Sequence, residues 1–196
     1  MTGKKYKWRF GEILVQNGWI SWEQLEKALE IQKKTEEDMR DVLLEKGFLS
    51  KKKSQVLHLG EILVKHRWVT WDDLSECLRL QQETGRVIGE ILLSKGYVTE
   101  KNLYHALAIQ FDRTFVDLEK VTIPQEVIQK VPKRLAEEHN LMPLLYRNPV
   151  VFIAVSDPLE MKGEHEVQKL FPDCEVKSAI ASPADVRKAI QQYYGK

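Results

Sequence analysis

A 24-residue motif that returns along the first half of the sequence constrains the fold more than any other feature. Three copies are nearly complete, at residues 9–32, 58–81 and 87–110. A fourth starts at Asp38 and keeps the pattern only as far as Ser50. The starts at 9 and 38 are 29 residues apart, as are those at 58 and 87, which leaves five spacer residues between partners. Two tandem pairs are therefore predicted.

Each motif has the pattern of two short helices joined by a turn. Apolar residues recur three and four apart in its second half, which is the spacing of a helix with one buried face. Gly18 stands where the first helix would need a left-handed C-cap. A hydroxyl side chain that can accept from free helix amides comes next in every copy: Ser21, Ser50, Thr70 and Thr99. The motifs predict an all-α repeat of helix–turn–helix units.

The remaining residues, 111–196, predict a small domain of alternating strands and helices. Strands are expected in FVDL, in LMPLLY and VVFIAVS on either side of a turn at 147–149, and in CEVKSAIA. Helices are expected after Pro124, around Glu164–Leu170 and at Pro183–Tyr193. This order favours a two-layer α/β sandwich. The fold class is thus α+β, with divisions at 1–57, 58–110 and 111–196.

Composition excludes several classes of function. Lysine plus arginine number 30 against 29 acidic residues, so the net charge of +1 gives no general attraction to DNA or to an anionic membrane. The two cysteines, Cys77 and Cys174, have neither a disulfide nor a zinc pattern. No run of about 18 apolar residues and no signal-like segment occurs. We expect a soluble, cytoplasmic protein without direct membrane insertion.

Catalytic motifs are absent from the sequence. There is no G-x-x-x-x-G-K-[ST] phosphate loop, and the five histidines show no H-E-x-x-H spacing. The chain is therefore expected to be neither an ATPase nor a metalloenzyme, and to require no cofactor.

Three kinds of motif residue are not explained by a helical core alone. A glycine at the opening of a helix exposes free amides to a phosphate, whereas elsewhere in a helix it destabilises. Arginine stacks on purines or donates to guanine, and glutamine pairs with a base edge. The residues concerned are Arg9, the glycines Gly11, Gly60 and Gly89, and the glutamines Gln32, Gln81 and Gln110. They predict a guanine nucleotide with two equivalent halves, and a plain helical repeat is the alternative.

The tandem motifs resemble those in the N-terminal domain of type II secretion and type IV pilus assembly ATPases, which have the same length and spacer. Residues 111–196 are similar to the second subdomain of that family through FVDLEKV, VVFIAVSDPLE and ADVRKAIQQYYG. The resemblance implies cyclic di-GMP as the ligand, with one motif for each guanylate half. It implies a non-catalytic regulatory adaptor whose partner is a protein of a secretion, pilus or motility machine. The alternative is a ligand-free interaction module of such a machine.

The departures from the family pattern favour the second motif pair. Asp38 and Arg40 replace an arginine and a glycine in the first pair, whose second motif also stops before its glutamine. In the second pair, arginine is replaced by His58 and Val87, and Arg86 is one residue off register. The resemblance then implies a pocket formed by His58, Leu59, Gly60, Gln81, Arg86, Ile88, Gly89 and Gln110, with the aliphatic side chains covering ribose and base.

Asp157 is a further candidate, since the resemblance implies that its loop faces the nucleotide. The alternative is an aspartate that caps its own turn. The first pair would contribute Arg9, Gly11 and Gln32.

Two tryptophans are candidates for a protein interface. Trp22 and Trp71 each follow an N-cap directly, at a first-turn position that usually points outward. Exposed tryptophans are common interface anchors, so we expect both to contact a partner. Packing against the adjacent repeat is the alternative.

Overall fold

The chain divides into two compact units, Met1–Val98 and Thr99–Lys196. A computed structural model describes residues 10–159 and 161–195. The first unit is helical, and the second combines helices with a three-stranded sheet. The predicted α+β class is confirmed. The boundary proposed at 57/58 falls inside a continuous helix, Lys51–Lys65.

The helices of the first unit follow the motif. The described part of α1 spans residues 10–16, and the others are α2 (Trp22–Thr35), α3 (Met39–Glu45), α4 (Lys51–Lys65), α5 (Trp71–Thr84) and α6 (Ile88–Ser94). The predicted N-caps are confirmed in this unit. The side chains of Ser21, Ser50 and Thr70 each accept from the backbone amide three residues on, at 3.1, 3.4 and 3.2 Å.

Helix α4 belongs to two motifs at once, and here the interpretation from sequence was wrong. The second motif does not end at Ser50, because α4 starts there and buries Ser54 and Leu57. Counted from residue 38, its 24 positions run to Glu61, and its last four residues are the first four of the third motif. No proline or turn sequence interrupts Lys51–Lys65, so the two helices fuse.

The turn between the two helices of each motif has the same conformation in all four copies. Motif position 10 adopts a left-handed backbone at Gly18, Gly47 and Gly96, with φ of 62, 68 and 70°. The third copy has Arg67 there, with φ of 59°. Glycine tolerates this region, whereas a residue with a Cβ is strained in it. The predicted C-cap at Gly18 is confirmed.

The second unit begins with α7 (Glu100–Gln110) and a 3₁₀ turn, Leu118–Lys120. Two short helices, α8 (Gln125–Lys130) and α9 (Lys133–Glu138), replace the single helical stretch expected after Pro124, because Pro132 starts a new helix as an N-cap. Then follow β1 (Leu141–Arg147), β2 (Val150–Val155), α10 (Lys162–Leu170), β3 (Glu175–Ile180) and α11 (Pro183–Tyr194). The strand expected in FVDL is reduced to one bridge between Phe115 and Ile180.

The sheet has the order β1-β2-β3, with β1 antiparallel and β3 parallel to β2. Helix α10 connects the parallel strands. Alternate residues of β2 enter two apolar clusters, Ala154 with residues of α8 and α11, and Val151 and Ile153 with Val167 of α10. Because successive strand residues point to opposite faces, the sheet is covered on both faces. The expected two-layer sandwich therefore has a third layer.

Replacing Arg67 with glycine should stabilise the first unit. The change relieves a left-handed residue with a Cβ, and we expect the free energy of unfolding to rise by about 1 kcal/mol. Urea denaturation measures it. The reciprocal change Gly47→Arg, at the same motif position, should lower stability by a similar amount. Equal stability of both variants and the wild type would contradict the equivalence of these turns.

Candidate functional site

The motif glycines are packing residues. A Cβ added to Gly11 would lie 2.5 Å from Cδ1 of Leu25, and one added to Gly60 would lie 2.7 Å from Cδ2 of Leu74. Both leucines occupy motif position 17 on the second helix. Glycine at position 3 thus lets the leucine approach the helix backbone. This close contact explains why glycine occurs at positions 11 and 60, and no ligand is needed to explain it.

Gly60 does not open a helix, contrary to the expectation from sequence. It is buried in the interior of α4, where backbone amides donate to the carbonyl four residues back. Its amide is therefore not available to a phosphate. The reason is the fusion of two helices into α4, which removed the helix start that the motif has at this point.

Gly89 keeps the expected position. It is the second residue of α6, whose N-cap, Val87, provides no side-chain hydrogen bond. The Val87 side chain is 61% exposed. The equivalent helix α3 differs, because Oδ1 of Asp38 accepts from the amide of Arg40 at 2.9 Å. Of these two equivalent helix starts, the one in the second motif is capped by a carboxylate and the one in the fourth is not.

The glutamines at motif position 24 differ in environment. Gln32 is buried, and its Nε2 donates to the backbone carbonyl of Glu37 at 3.0 Å, which holds the spacer before α3. This is a structural role. Gln81 is half-buried near the end of α5. Gln110 ends α7 and is half-buried in the second unit.

The other residues assigned to the ligand have varied surroundings. Leu59 and Ile88 are 6% and 3% exposed, so they belong to the core, and the expectation that they cover ribose and base is not supported by this burial. Arg86 is exposed and lies 3.9 Å from Glu90. His58 is half-buried in α4, and burial, together with the charge of Arg40, lowers the pKa of its imidazole.

Two further ligand candidates, Arg9 and Asp157, lie outside the second motif pair. Arg9 lies outside the described residues. Asp157 is exposed in the second unit, and its Oδ1 accepts from the amide of Leu159 at 2.9 Å. It therefore caps its own turn, as the structural alternative held.

The sequence did not reveal an ionic cluster that α3 and α4 form. The guanidinium of Arg40 lies 3.5 Å from a carboxylate oxygen of Glu61, and both side chains are about four-fifths buried, with exposures of 19% and 22%. Burial and the nearby carboxylates of Asp38 and Asp41 raise the pKa of Glu61 to about 7, although Arg40 acts in the opposite direction. If the second motif had been continued at constant register through residue 61, Arg40 and Glu61 would have been recognised as its positions 3 and 24.

The two candidate interface tryptophans differ in exposure. Trp22 is 54% exposed, as expected. Trp71 is 8% exposed, and its ring lies 6.1 Å from that of Phe10 in a tilted arrangement. The expectation of an outward Trp71 was wrong, because Phe10 of the first motif packs against it. Of the two tryptophans, only Trp22 is exposed.

Neither a metal site nor a membrane span is found in the described part of the chain. Across 10–159 and 161–195, no group of three or more histidine, cysteine or acidic side chains is arranged to hold a metal ion. In the same ranges, no helix has the length and apolar character needed to cross a bilayer.

Comparison with known proteins gives a family match in the second half of the chain. Residues 111–196 match the MshEN domain. In secretion and pilus ATPases the MshEN domain is a regulatory N-terminal domain rather than the catalytic one, and this kinship confirms the resemblance to such N-terminal domains.

Similar proteins extend the MshEN relationship to a larger part of the chain. The structure of MshE with cyclic di-GMP matches with 26% identity and a TM-score of 0.56, over 69% of this chain and 98% of that one. The N-terminal domain of XpsE shares the fold at 18% identity and a TM-score of 0.52, over 72% and 96%. The type IV pilus assembly ATPase PilB of Myxococcus xanthus is 28% identical over 97 residues, which are 50% of this chain and 17% of PilB.

Alanine substitution should separate the two tryptophans. Trp71→Ala removes a buried ring and should lower the free energy of unfolding by about 3–5 kcal/mol. Trp22→Ala, the matched control at the same motif position, should change it by about 0.5 kcal/mol or less. Chemical denaturation measures both. Equal losses would contradict the burial difference.

Glu61→Gln should change the pH dependence of stability. The pKa of Glu61 is raised to about 7 from an ordinary value of 4.5, so the folded chain binds this proton more tightly than the unfolded chain. The stabilisation is fully present below pH 4.5 and is lost as the pH rises through 7. Glutamine stays neutral and avoids that loss.

The variant should therefore gain stability relative to wild type between pH 5 and 8. Melting temperatures across this range measure the difference. Glu90→Gln, at the same motif position but exposed, serves as the control. A difference between Glu61→Gln and wild type that does not grow with pH would contradict an ionisation penalty at Glu61.

Proposed function

We propose that this chain is a non-catalytic regulatory adaptor that binds cyclic di-GMP through the residues of its second motif pair that lie in the first unit, between 58 and 98. The observation that carries the proposal is the likeness to MshE over 69% of this chain. The start of α6 agrees with it, because the N-cap residue Val87 is exposed and makes no side-chain hydrogen bond to the first turn, in which Ile88 and Gly89 are buried. First-turn amides, at the positive end of the helix dipole, suit a phosphate. The likeness to MshE, solved with cyclic di-GMP, supports the same ligand.

The motif residues have different roles in this site. Amides of α6 around Gly89 hold a phosphate, and Arg86, one residue before Val87, supplies a nearby cation. Gln81 addresses a guanine edge, and its repeat equivalent in the second unit is Gln110. Gly60 does not contact the ligand, and its role is to let Leu74 pack closely against the backbone of α4.

Binding should be weak, because neither motif of this pair has its arginine. Val87 carries no charge. A lowered pKa keeps the imidazole of His58 neutral at pH 7. Each lost stacking or bidentate arginine contact forfeits about 1–3 kcal/mol.

The partner of the adaptor is proposed to be a protein of a secretion, pilus or motility machine. PilB and XpsE, to which the chain is similar, come from such systems. The second candidate function is a ligand-free interaction module of the same machines. The exposed ring of Trp22 favours it, since an aromatic side chain that is 54% exposed suits a partner surface.

Restoring the arginines should tighten binding. Calorimetry with cyclic di-GMP should give an affinity for His58→Arg/Val87→Arg at least about thirtyfold above wild type, since two contacts of about 1–3 kcal/mol each are restored and about 1.4 kcal/mol is a factor of ten. Gln81→Ala should abolish binding. Glu26→Arg, on the exposed face of α2, controls for added charge. If neither the folded wild type nor the double-arginine variant binds, the interaction module is the function that remains.

A further inference from the structure

At motif position 3 the second motif has a large residue where the first and third have glycine, and at position 17 it has a small residue where they have leucine. Gly11 and Gly60 at motif position 3 are each covered by a leucine at position 17. In the second motif, position 3 is Arg40 and position 17 is Ser54, which is 6% exposed in α4. By equivalence with the first and third motifs, the small Ser54 stands at the position of the leucine that would approach the helix backbone, and the large Arg40 stands at the position of the glycine. The sizes at these two positions are therefore reversed in the second motif.

The charged end of Arg40 reaches the far end of the same motif. Its guanidinium lies 3.5 Å from the carboxylate of Glu61, which stands at motif position 24 in place of glutamine. Because α4 is shared, residue 61 is also position 4 of the third motif. That position is acidic in every copy: Glu12, Asp41, Glu61 and Glu90. The overlap of two motifs therefore coincides with an acid at the glutamine position.

The start of α3 is closed as well. Asp38, at motif position 1, accepts from the amide of Arg40 and places a negative charge at the helix end. A phosphate would meet carboxylate repulsion there, because like charges at short range disfavour each other. The equivalent residue of the fourth motif, Val87, has no such charge and makes no such bond.

We propose that Asp38, Arg40, Ser54 and Glu61 close the second motif to nucleotide, so that the first motif pair takes no cyclic di-GMP and the chain binds one molecule, through its second pair. This rests on the proposed function, since it specifies which pair is occupied. Motif positions 1, 3 and 24 are satisfied within the protein. The closure replaces a ligand site with an internal ion pair and a capped helix.

A double-mutant cycle tests the exchange of sizes without ligand. Arg40→Gly should leave a gap beside Ser54, and Ser54→Leu should crowd Arg40, so each single variant should melt below wild type. The double variant pairs glycine with leucine, as in the first and third motifs. Its melting temperature should exceed the sum of the single effects by about 5 °C or more. Additive effects would overturn the exchange, and with it the closure.

Ligand counting tests the closure itself. Equilibrium dialysis with cyclic di-GMP should give one molecule per wild-type chain at saturation. The variant Asp38→Arg/Arg40→Gly/Ser54→Leu/Glu61→Gln, confirmed folded by its melting transition, should take two. Glu26→Arg should stay at one. The same measurements with cyclic di-AMP control for binding of any cyclic dinucleotide.

The outcomes separate this inference from the proposed function. Two cyclic di-GMP molecules bound per wild-type chain, or one per chain for both proteins, would overturn the closure and leave the proposed function standing. None on the wild type but one on the restored variant would support the closure and refute binding by the second pair. No binding by either protein would refute both.

Discussion

The helical unit depends on the contact between a glycine on the first helix of a motif and a leucine on the second. Cδ atoms of Leu25 and Leu74 lie so close to the backbones at Gly11 and Gly60 that a Cβ would meet them at 2.5 and 2.7 Å. Close-packed interiors do not absorb such an added atom without shifts in neighbouring groups. The glycine that a sequence motif associates with a phosphate is therefore first a packing residue in these two motifs.

Sharing a helix between motifs has consequences beyond packing. Residues 58–61 serve the end of one motif and the start of the next, so each of them meets two sets of constraints. Gly60 loses its place at a helix start, and residue 61 is an acid where a glutamine would complete the second motif. The buried Arg40–Glu61 pair follows, with the pKa of Glu61 raised to about 7 by burial and by Asp38 and Asp41. Such a pair is weak evidence for stability, but it does fix which side chains fill the motif.

Periodicity and caps predicted most of the elements, because helix starts and turns are decided locally. The hydroxyl caps, the left-handed Gly18 and the strands on either side of the Asn148–Pro149 turn were foreseen for that reason. Features set by packing between elements were not. The pattern of Trp22 and Trp71 is the same, yet Phe10 covers only one of them. Gly60 looks like Gly89 in sequence, and the absence of a helix break before it could be judged only by following the second motif past Ser50.

Hydrogen exchange with and without cyclic di-GMP reports which backbone amides the ligand protects, and so shows which motif pair binds it. We expect slowed exchange at the start of α6, around Ile88 and Gly89, with no change in α3, Met39–Glu45. Slowed exchange in α3, or unchanged exchange throughout the first unit at saturating ligand, would contradict this expectation.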